Sequence, residues 1–454
     1  MTHFGRDDDA GRRRHAQNWL ALAAGAVAAA GLFAILIALA RVPAIGKLFP
    51  GPEFYRVALT LHVTLSQGVW FMAFAACLWA LDAPRRPTSV DHLSLAAAAL
   101  GTIGIALSVG VGEPAPLMSN YLPVLDSRLF TGAFLLFGLA LALRAARSAL
   151  PLPWRRPAGL GDVRALGLRL AAIGFCASLL LALLAHRVIA EGVDGLAYYE
   201  SLFWGAGHLW QFVLVLLMMV CWLVLAPPNP ARLAPAVPAG LLLLAAAPIV
   251  AGIGLATFRS PLDADYIIGF TRLMQWASWP APVILFALLL RTSPRAMPGF
   301  GLSAVLFIQG LLIGAAIDGQ TTLVTAHYHG TIGAVTLAFM ATALQLLPRL
   351  GATAVSAGAA RSQLACYGWG IMLMMLGLAG AGLMGAPRKT PGDLGLSWSI
   401  ETISRIMLGI GGLLATIGIL MFAYLVLMRL WPVALAACRT NAGKMPHRSR
   451  SARS

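Results

Sequence analysis

The stretch that decides the fold is residues 323–350, LVTAHYHGTIGAVTLAFMATALQLLPRL. Its apolar run can cross a bilayer core of about 30 Å, because such a helix needs about 20 residues. Two histidines, His327 and His329, lie just inside one end. Residues two apart on a helix are separated by about 200°, so the two imidazoles can serve two separate metal centres. The alternative is a pair of interfacial histidines hydrogen-bonded to loop carbonyls, and other segments must decide between the two.

The composition is that of an all-α integral membrane protein. Of 454 residues, 59% are hydrophobic and 11% are charged, which excludes a soluble enzyme. The loops are short, so we predict one membrane domain over residues 18–430, a basic tail over residues 1–17 and an Arg-rich tail over residues 431–454. The twelve segments that can span a bilayer are 18–41, 57–81, 91–112, 127–146, 167–187, 200–226, 235–258, 267–291, 299–317, 323–347, 363–385 and 398–430.

The basic residues predict an orientation rather than a nucleic-acid partner. If the N-terminus is cytoplasmic, most of the 33 lysines and arginines fall on the inner side, which fits the positive-inside rule. We therefore expect a bacterial-type inner membrane protein with both termini in the cytoplasm and the Arg-rich tail lying on anionic lipid. The five cysteines are scattered, and no CxxC or CxxCH occurs, so covalent c-type haem and thiolate metal sites are not expected.

Four histidines share one depth in the predicted membrane domain. His62 on the second segment and His208 on the sixth join His327 and His329 in the outer third. A single layer of prosthetic groups explains this depth better than chance does. The other five of the nine histidines are expected in polar tails or at the surface; among them, His92 is expected to cap the third helix.

Four stretches carry a resemblance to a known family. They are ALTLHVTLSQGVWFMAF (58–74), ESLFWGAGHLWQF (200–212), VTAHYHGTIGAVTLAFM (324–340) and GAPRK (385–389). The chain resembles subunit I of the haem-copper oxidases, the superfamily that also contains the nitric oxide reductases. The resemblance covers most of the twelve helices and implies a subunit I-like helix bundle.

The resemblance implies two haems, with the b type favoured. His62 and His329 would ligate the iron of a low-spin haem, and His327 would ligate the iron of a high-spin haem. Bis-imidazole ligation needs the second and tenth helices to face each other. His327, pointing the other way, would leave its haem an open position toward the sixth helix, which binding of a diatomic gas requires.

The family's remaining site positions are only partly matched. His208 stands at the first copper-ligand position, and Arg388 and Lys389 stand where the family has a basic pair on the haem propionates. In the seventh helix, however, Leu255 and Ala256 occupy the positions of two adjacent copper-ligand histidines. Neither side chain can bind a metal, so we predict a degenerate site with substoichiometric copper.

The usual proton routes are also weakened. Trp210 and Phe212 stand where many oxidases have a glutamate and a tyrosine, and the eighth segment lacks the lysine of the family's proton channel. Intramembrane proton relays need ionisable or hydroxyl side chains. We therefore do not expect proton pumping by the usual routes.

These observations predict a respiratory membrane oxidoreductase. His327 and His208 are the candidate catalytic residues, and oxygen or nitric oxide is the expected substrate. Electrons would come from a donor subunit, cytochrome c or a quinol. Two alternatives stay open: a catalytically degenerate dihaem protein that transfers electrons or senses gas, and a twelve-helix transporter without haem.

Overall fold

The computed structural model describes residues 10–40, 53–111, 115–150, 157–189, 193–293, 297–388 and 398–442, the last nine by their backbone alone. Over these residues the chain forms twelve helical segments, which confirms the predicted fold class. They are α1 (Ala10–Ala40), α2 (Phe54–Asp82), α3 (Ser89–Leu107), α4 (Arg128–Ala149), α5 (Leu160–Val188), α6 (Gly195–Leu225), α7 (Ala236–Phe258), α8 (Ala264–Thr292), α9 (Phe300–Ala315), α10 (Thr322–Leu346), α11 (Ala357–Leu383) and α12 (Trp398–Ala442). Eleven of these are long and apolar enough to cross a membrane, and α9 is shorter at 16 residues.

Several helices differ from their predicted bounds by up to seven residues, and α1, α8 and α12 differ in ways that change the description of the tails and of one span. Helix α1 begins at Ala10 and α12 runs to Ala442, so part of each predicted tail is helical. Arginine and alanine favour helix, and residues 12–17 and 433–442 contain no glycine or proline that would stop it, although Pro432 lies within α12. Helix α8 is broken into Ala264–Ala277 and Pro280–Thr292, because Pro280 lacks the amide hydrogen that a continuous helix needs.

The three helices that carry the four intramembrane histidines are the central ones. In the most apolar 18 residues of α2, α6 and α10, 78%, 89% and 78% of the residues are buried, against 22% to 56% in the other eight spans. The second half of α6 is apolar on every side, which is typical of a helix surrounded by other helices. The candidate site therefore lies at the centre of the bundle.

The two ends of the bundle differ in chemistry. We call the end holding the first turns of α2, α6 and α10 the histidine end, and the opposite end the arginine end. A small antiparallel hairpin between α3 and α4 lies at the histidine end. Its strands are β1 (Ala115–Leu117) and β2 (Val124–Asp126), paired with Pro116 opposite Leu125. The hairpin tip contributes to the site described below.

Helix α2 changes its winding directly after His62. Residues Thr64–Val69 form a π-helical turn inside an otherwise α-helical span. Such turns are rare and frequently occur at functional sites, because they change the direction of the side chains on either side. Beyond this turn, α2 packs on α10 through aromatic rings: Phe339 lies 5.6 Å from Phe71 and 4.8 Å from Phe74 between ring centroids.

Helices α9 and α10 approach closely at a pair of glycines. A Cβ atom at Gly310 would lie 2.7 Å from the backbone nitrogen of Thr331 and 3.0 Å from the carbonyl carbon of Gly330. Both neighbours are backbone atoms, which cannot move aside as a flexible side chain would. Small residues at this crossing therefore allow the two backbones to touch.

We expect Gly310→Ala to lower the thermal unfolding midpoint of the purified protein, because the added methyl group forces α9 and α10 apart at a cost of about 1–3 kcal/mol. Gly301→Ala on the same helix is the matched control, since nothing lies within 4 Å of its Cβ position. The control should leave the midpoint unchanged or raise it slightly, because alanine favours helix. Equal midpoints for the two variants would contradict the close approach.

Candidate haem site

His62 lies in α2, two residues before the π-helical turn begins at Thr64. Its Nδ1 atom is 2.9 Å from the carbonyl oxygen of Ala30 in α1. A carbonyl oxygen only accepts hydrogen bonds, so Nδ1 carries the ring proton and donates it. The contact fixes the ring orientation and leaves Nε2 as a lone-pair nitrogen.

His329 in α10 is held in the same state. Its Nδ1 atom donates to the carbonyl oxygen of Thr325, one turn earlier, over 2.8 Å. The rings of His329 and His62 lie close enough to interact electrostatically. Helices α2 and α10 thus bring together the two imidazoles that the sequence pairs, as bis-imidazole ligation of one haem requires.

His327 leaves the other side of α10, against α9. Its Nδ1 atom donates to the carbonyl oxygen of Gly310 over 2.7 Å. Gly314, one turn further along α9, lies directly against this ring: a Cβ atom there would be 2.5 Å from Nδ1. The glycines of α9 therefore give the imidazole both its hydrogen-bond acceptor and the space that it occupies.

The three rings share the features of axial haem ligands. A hydrogen bond from Nδ1 to a carbonyl would also fit an interfacial histidine. The state of Nε2 therefore distinguishes a haem ligand from an interfacial histidine. Among the described residues nothing hydrogen-bonds to Nε2 of His62, His327 or His329. Protein surrounds all three residues within the bundle, yet each keeps some accessible surface. A histidine that ligates a metal usually donates its other N–H to a carbonyl, so these residues fit haem iron.

His208 in α6 is in a different state. Its Nδ1 atom donates to the carbonyl oxygen of Trp204 over 2.7 Å, and the hydroxyl of Tyr121 lies 2.9 Å from Nε2. Tyr121 belongs to the tip of the β1–β2 hairpin. Burial, together with the nearby Glu200 carboxylate, raises the pKa of Tyr121, so the phenol keeps its proton and can donate it to Nε2.

The described residues do not fit a copper ion. Both nitrogens of His208 have protein partners, and no group of three or more His, Cys, Asp or Glu side chains capable of holding a metal occurs in the part of the chain that the structure describes. Leu255 and Ala256 of α7 are packed against the hydrophobic core. Trp210 donates to the sulfur of Met72 over 3.2 Å, and Phe212 is buried in the core.

The predicted basic pair is only partly described. Lys389 lies outside the described residues. Arg388, after α11, donates from Nη2 to the Oδ1 atom of Asn120 over 2.8 Å, and Asn120 donates from Nδ2 to Glu200 over 2.7 Å. Arg388 also interacts electrostatically with Tyr328, whose ring lies 4.8 Å from that of His329. One positive charge therefore lies at the histidine end, close to the paired imidazoles.

We expect Arg388→Gln to lower the midpoint potential of a haem held by His62 and His329 by tens of mV, because the oxidised haem carries an extra positive charge and loses a repulsive neighbour. Arg259→Gln on α7 is the control: it removes the same charge from a solvent-exposed pair with Asp265. Redox titration of both variants measures the difference. Equal potentials would make Arg388 an ordinary loop residue.

Sequence reasoning missed the hairpin tip. Asn120 and Tyr121 lie in a loop between two spans, and their partners are Glu200, Arg388 and His208, at least 80 positions away in the chain. The only local signal is a polar and an aromatic residue side by side in the segment APLMSNYLPVLD. The other histidine at this end, His186, pairs with the hydroxyl of Tyr198 at 2.7 Å and is separate from the site.

The fold and the histidine layer define a multi-pass membrane protein of the haem-copper oxidase subunit I class. Residues 14–414 match the family described as Cytochrome C and Quinol oxidase polypeptide I, so the chain belongs to that family. An uncharacterized protein of Aquifex aeolicus is 30% identical over 348 residues, which cover 73% of this chain and 84% of that protein. An uncharacterized protein of Rickettsia prowazekii is 23% identical over 491 aligned positions, covering 90% of this chain and 94% of its own length.

Proposed function

We propose that this chain is a dihaem membrane oxidoreductase that passes electrons from a low-spin to a high-spin haem and there reduces oxygen or nitric oxide. The observation that carries the proposal is the shared state of three buried imidazoles, each with Nδ1 fixed by a carbonyl and Nε2 free. Haem supplies one-electron chemistry and, where one axial position is open, a place for a diatomic gas.

The chain's own residues divide this task. His62 and His329 would together hold the iron of one haem, so that this iron transfers electrons without binding gas. His327, anchored on α9, would hold the iron of the other haem, which would supply the gas-binding chemistry. Trp204, Phe270 and Tyr121 pack around His208 with ring centroids 5.1 to 5.5 Å away, which gives the α6 side an aromatic, water-poor wall.

The proposal also includes the membrane in which the site lies, the source of its electrons and the type of its haems. The helical domain, residues 18–430, lies in a bacterial inner membrane with both chain ends on the cytoplasmic side, as the positive-inside rule favours. Electrons reach the histidine end from a donor subunit, cytochrome c or a quinol. The haems are of the b type.

A second candidate is a dihaem protein that transfers electrons or binds gas without rapid turnover. The Tyr121–His208 contact favours it, because the phenol hydroxyl lies 2.7 Å from Nδ1 and 2.9 Å from Nε2 and so stands beside the imidazole at the first copper-ligand position, where a metal would bind. Gas reduction by this chain is accordingly expected to be slow compared with a copper-containing oxidase.

Gas consumption by the purified protein distinguishes the two candidates. The protein is supplied with a chemical reductant, and oxygen and nitric oxide are followed separately while metals are measured on the same preparation. The proposal expects His327-dependent consumption of one gas and well under one copper per two haems. Consumption of neither gas would leave the second candidate. One copper per two haems, lost in His208→Ala, would contradict the copper-free arrangement.

A further inference from the structure

A buried ionic cluster lies at the arginine end, away from the haem site. It consists of His15 in α1, Asp91 and His92 in α3, and Arg144 and Arg147 in α4; we call it the Asp91 cluster. Asp91 and Arg144 are each 3% exposed and His15 is 2% exposed. The rings of His15 and His92 lie 5.3 Å apart, and His15 interacts electrostatically with Arg144 and Asp91.

The carboxylate of the cluster has all the donors that it needs. Asp91 accepts from Nη1 of Arg144 at 3.0 Å, and from Nε and Nη2 of Arg147, each at 3.0 Å. The backbone N–H and the hydroxyl of Thr88 donate to it as well, each at 2.9 Å. Two guanidinium groups thus face one fully satisfied carboxylate, so one positive charge is in excess.

The cluster also has buried donors without acceptors. The Nε and Nη2 atoms of Arg144 are sealed from solvent and have no partner among the described residues, and Nδ1 of His15 is in the same position. Trp19 donates to Nε2 of His15 over 3.0 Å, so Nδ1 must carry the ring proton. The three orphan atoms are therefore all donors, and the missing partner is an acceptor, preferably one with negative charge.

The surroundings of the cluster indicate where such an anion comes from. Arg147 is the cluster's partly exposed guanidinium, at 35% of its side chain, and it shares the Asp91 carboxylate with Arg144. The cluster lies at one end of the apolar face that α3 and α4 present to lipid. The exposed side chains of that face include Leu93, Leu100, Ile103, Leu107, Leu135 and Leu139.

We propose that the Asp91 cluster binds the phosphate of an anionic phospholipid, with the acyl chains lying along the α3–α4 face. The phosphate oxygens accept from the partly exposed guanidinium of Arg147, with which they form charge-assisted hydrogen bonds, and the buried guanidinium of Arg144 adds its positive charge behind it. The excess positive charge is neutralised in the same step. The site holds α1, α3 and α4 together at the arginine end and is independent of haem.

Native mass spectrometry of the full-length protein in detergent tests this with phosphatidylglycerol as the probe. We expect wild type to retain one lipid, and Arg147→Gln to weaken that binding by about tenfold. His15→Phe removes one buried donor without removing charge and should weaken it less. Arg85→Gln is the matched control, since this exposed arginine lies at the same end outside the cluster. An equal loss in Arg85→Gln and Arg147→Gln would overturn the proposal.

A second arm separates the lipid from free phosphate. Thermal unfolding of wild type is compared in inorganic phosphate and in chloride at equal ionic strength. A higher midpoint in phosphate that disappears in Arg147→Gln supports the site with phosphate as a sufficient ligand. Specific phosphatidylglycerol binding without a phosphate effect supports the site with the lipid as its ligand. If correctly folded wild type shows neither the phosphate-dependent midpoint nor specific phosphatidylglycerol binding, the proposal is wrong.

Discussion

His327→Ala is expected to abolish carbon monoxide binding to the reduced protein while leaving a six-coordinate haem in place. The reason is that, on the proposed assignment, His327 alone would hold the haem that keeps room for a gas, since its ring leaves α10 toward α9 and away from His62 and His329. Wild type should bind one carbon monoxide per two haems. The measurement is a carbon monoxide difference spectrum, in which the variant should lose the whole signal.

The control for this loss is His186→Ala. His186 is a histidine at the same end of the bundle, but its ring is paired with Tyr198 on the exposed surface. Its removal should leave carbon monoxide binding unchanged. Binding at both haems or at neither in wild type, or binding that persists in His327→Ala, would contradict the assignment of two unequal sites.

His62→Ala and His329→Ala should each remove one haem per chain, half of the total, and retain the carbon monoxide-binding haem. On the proposed assignment, either change would delete one of the two ligands of the same iron. The remaining imidazole would keep its own hydrogen bond, to Thr325 or to Ala30. Haem content and the sharp bands of a low-spin haem in the reduced spectrum measure the loss.

The two variants should behave alike because they act on one centre. Glycine or cysteine at either position would test the same point with a smaller or a sulfur-bearing side chain. If one variant lost the low-spin haem and the other kept it in full, His62 and His329 would not be ligands of one iron. The pairing of α2 with α10 would then be a packing contact.

The sequence predicted the helices and the histidine layer because both depend on local signals. Apolar runs of membrane length determine the spans, and a histidine within such a run is conspicuous. The two-residue spacing of His327 and His329 already requires opposite faces, and the structure places their rings against α9 and near α2 respectively. That Leu255 and Ala256 stand at two copper-ligand positions of the family is also a prediction from the sequence, and it stays a prediction.

The sequence did not predict features that depend on distant contacts. Tyr121 reaches His208 across 87 positions, so no local pattern links them. His15 was expected in a polar tail, but α1 begins early and the ends of α3 and α4 cover it, so it is buried. His92 was expected to cap α3; instead Thr88 and Asp91 form the cap, and His92 is exposed.

The haem-to-protein ratio of the purified full-length chain tests the central claim most directly. Three imidazoles with free Nε2 atoms, two of them close enough to interact electrostatically, predict two haems per chain. One haem per chain would contradict the separation of His327 from the His62–His329 pair. A colourless protein, prepared under conditions where haem is supplied, would contradict the account as a whole and favour a transporter.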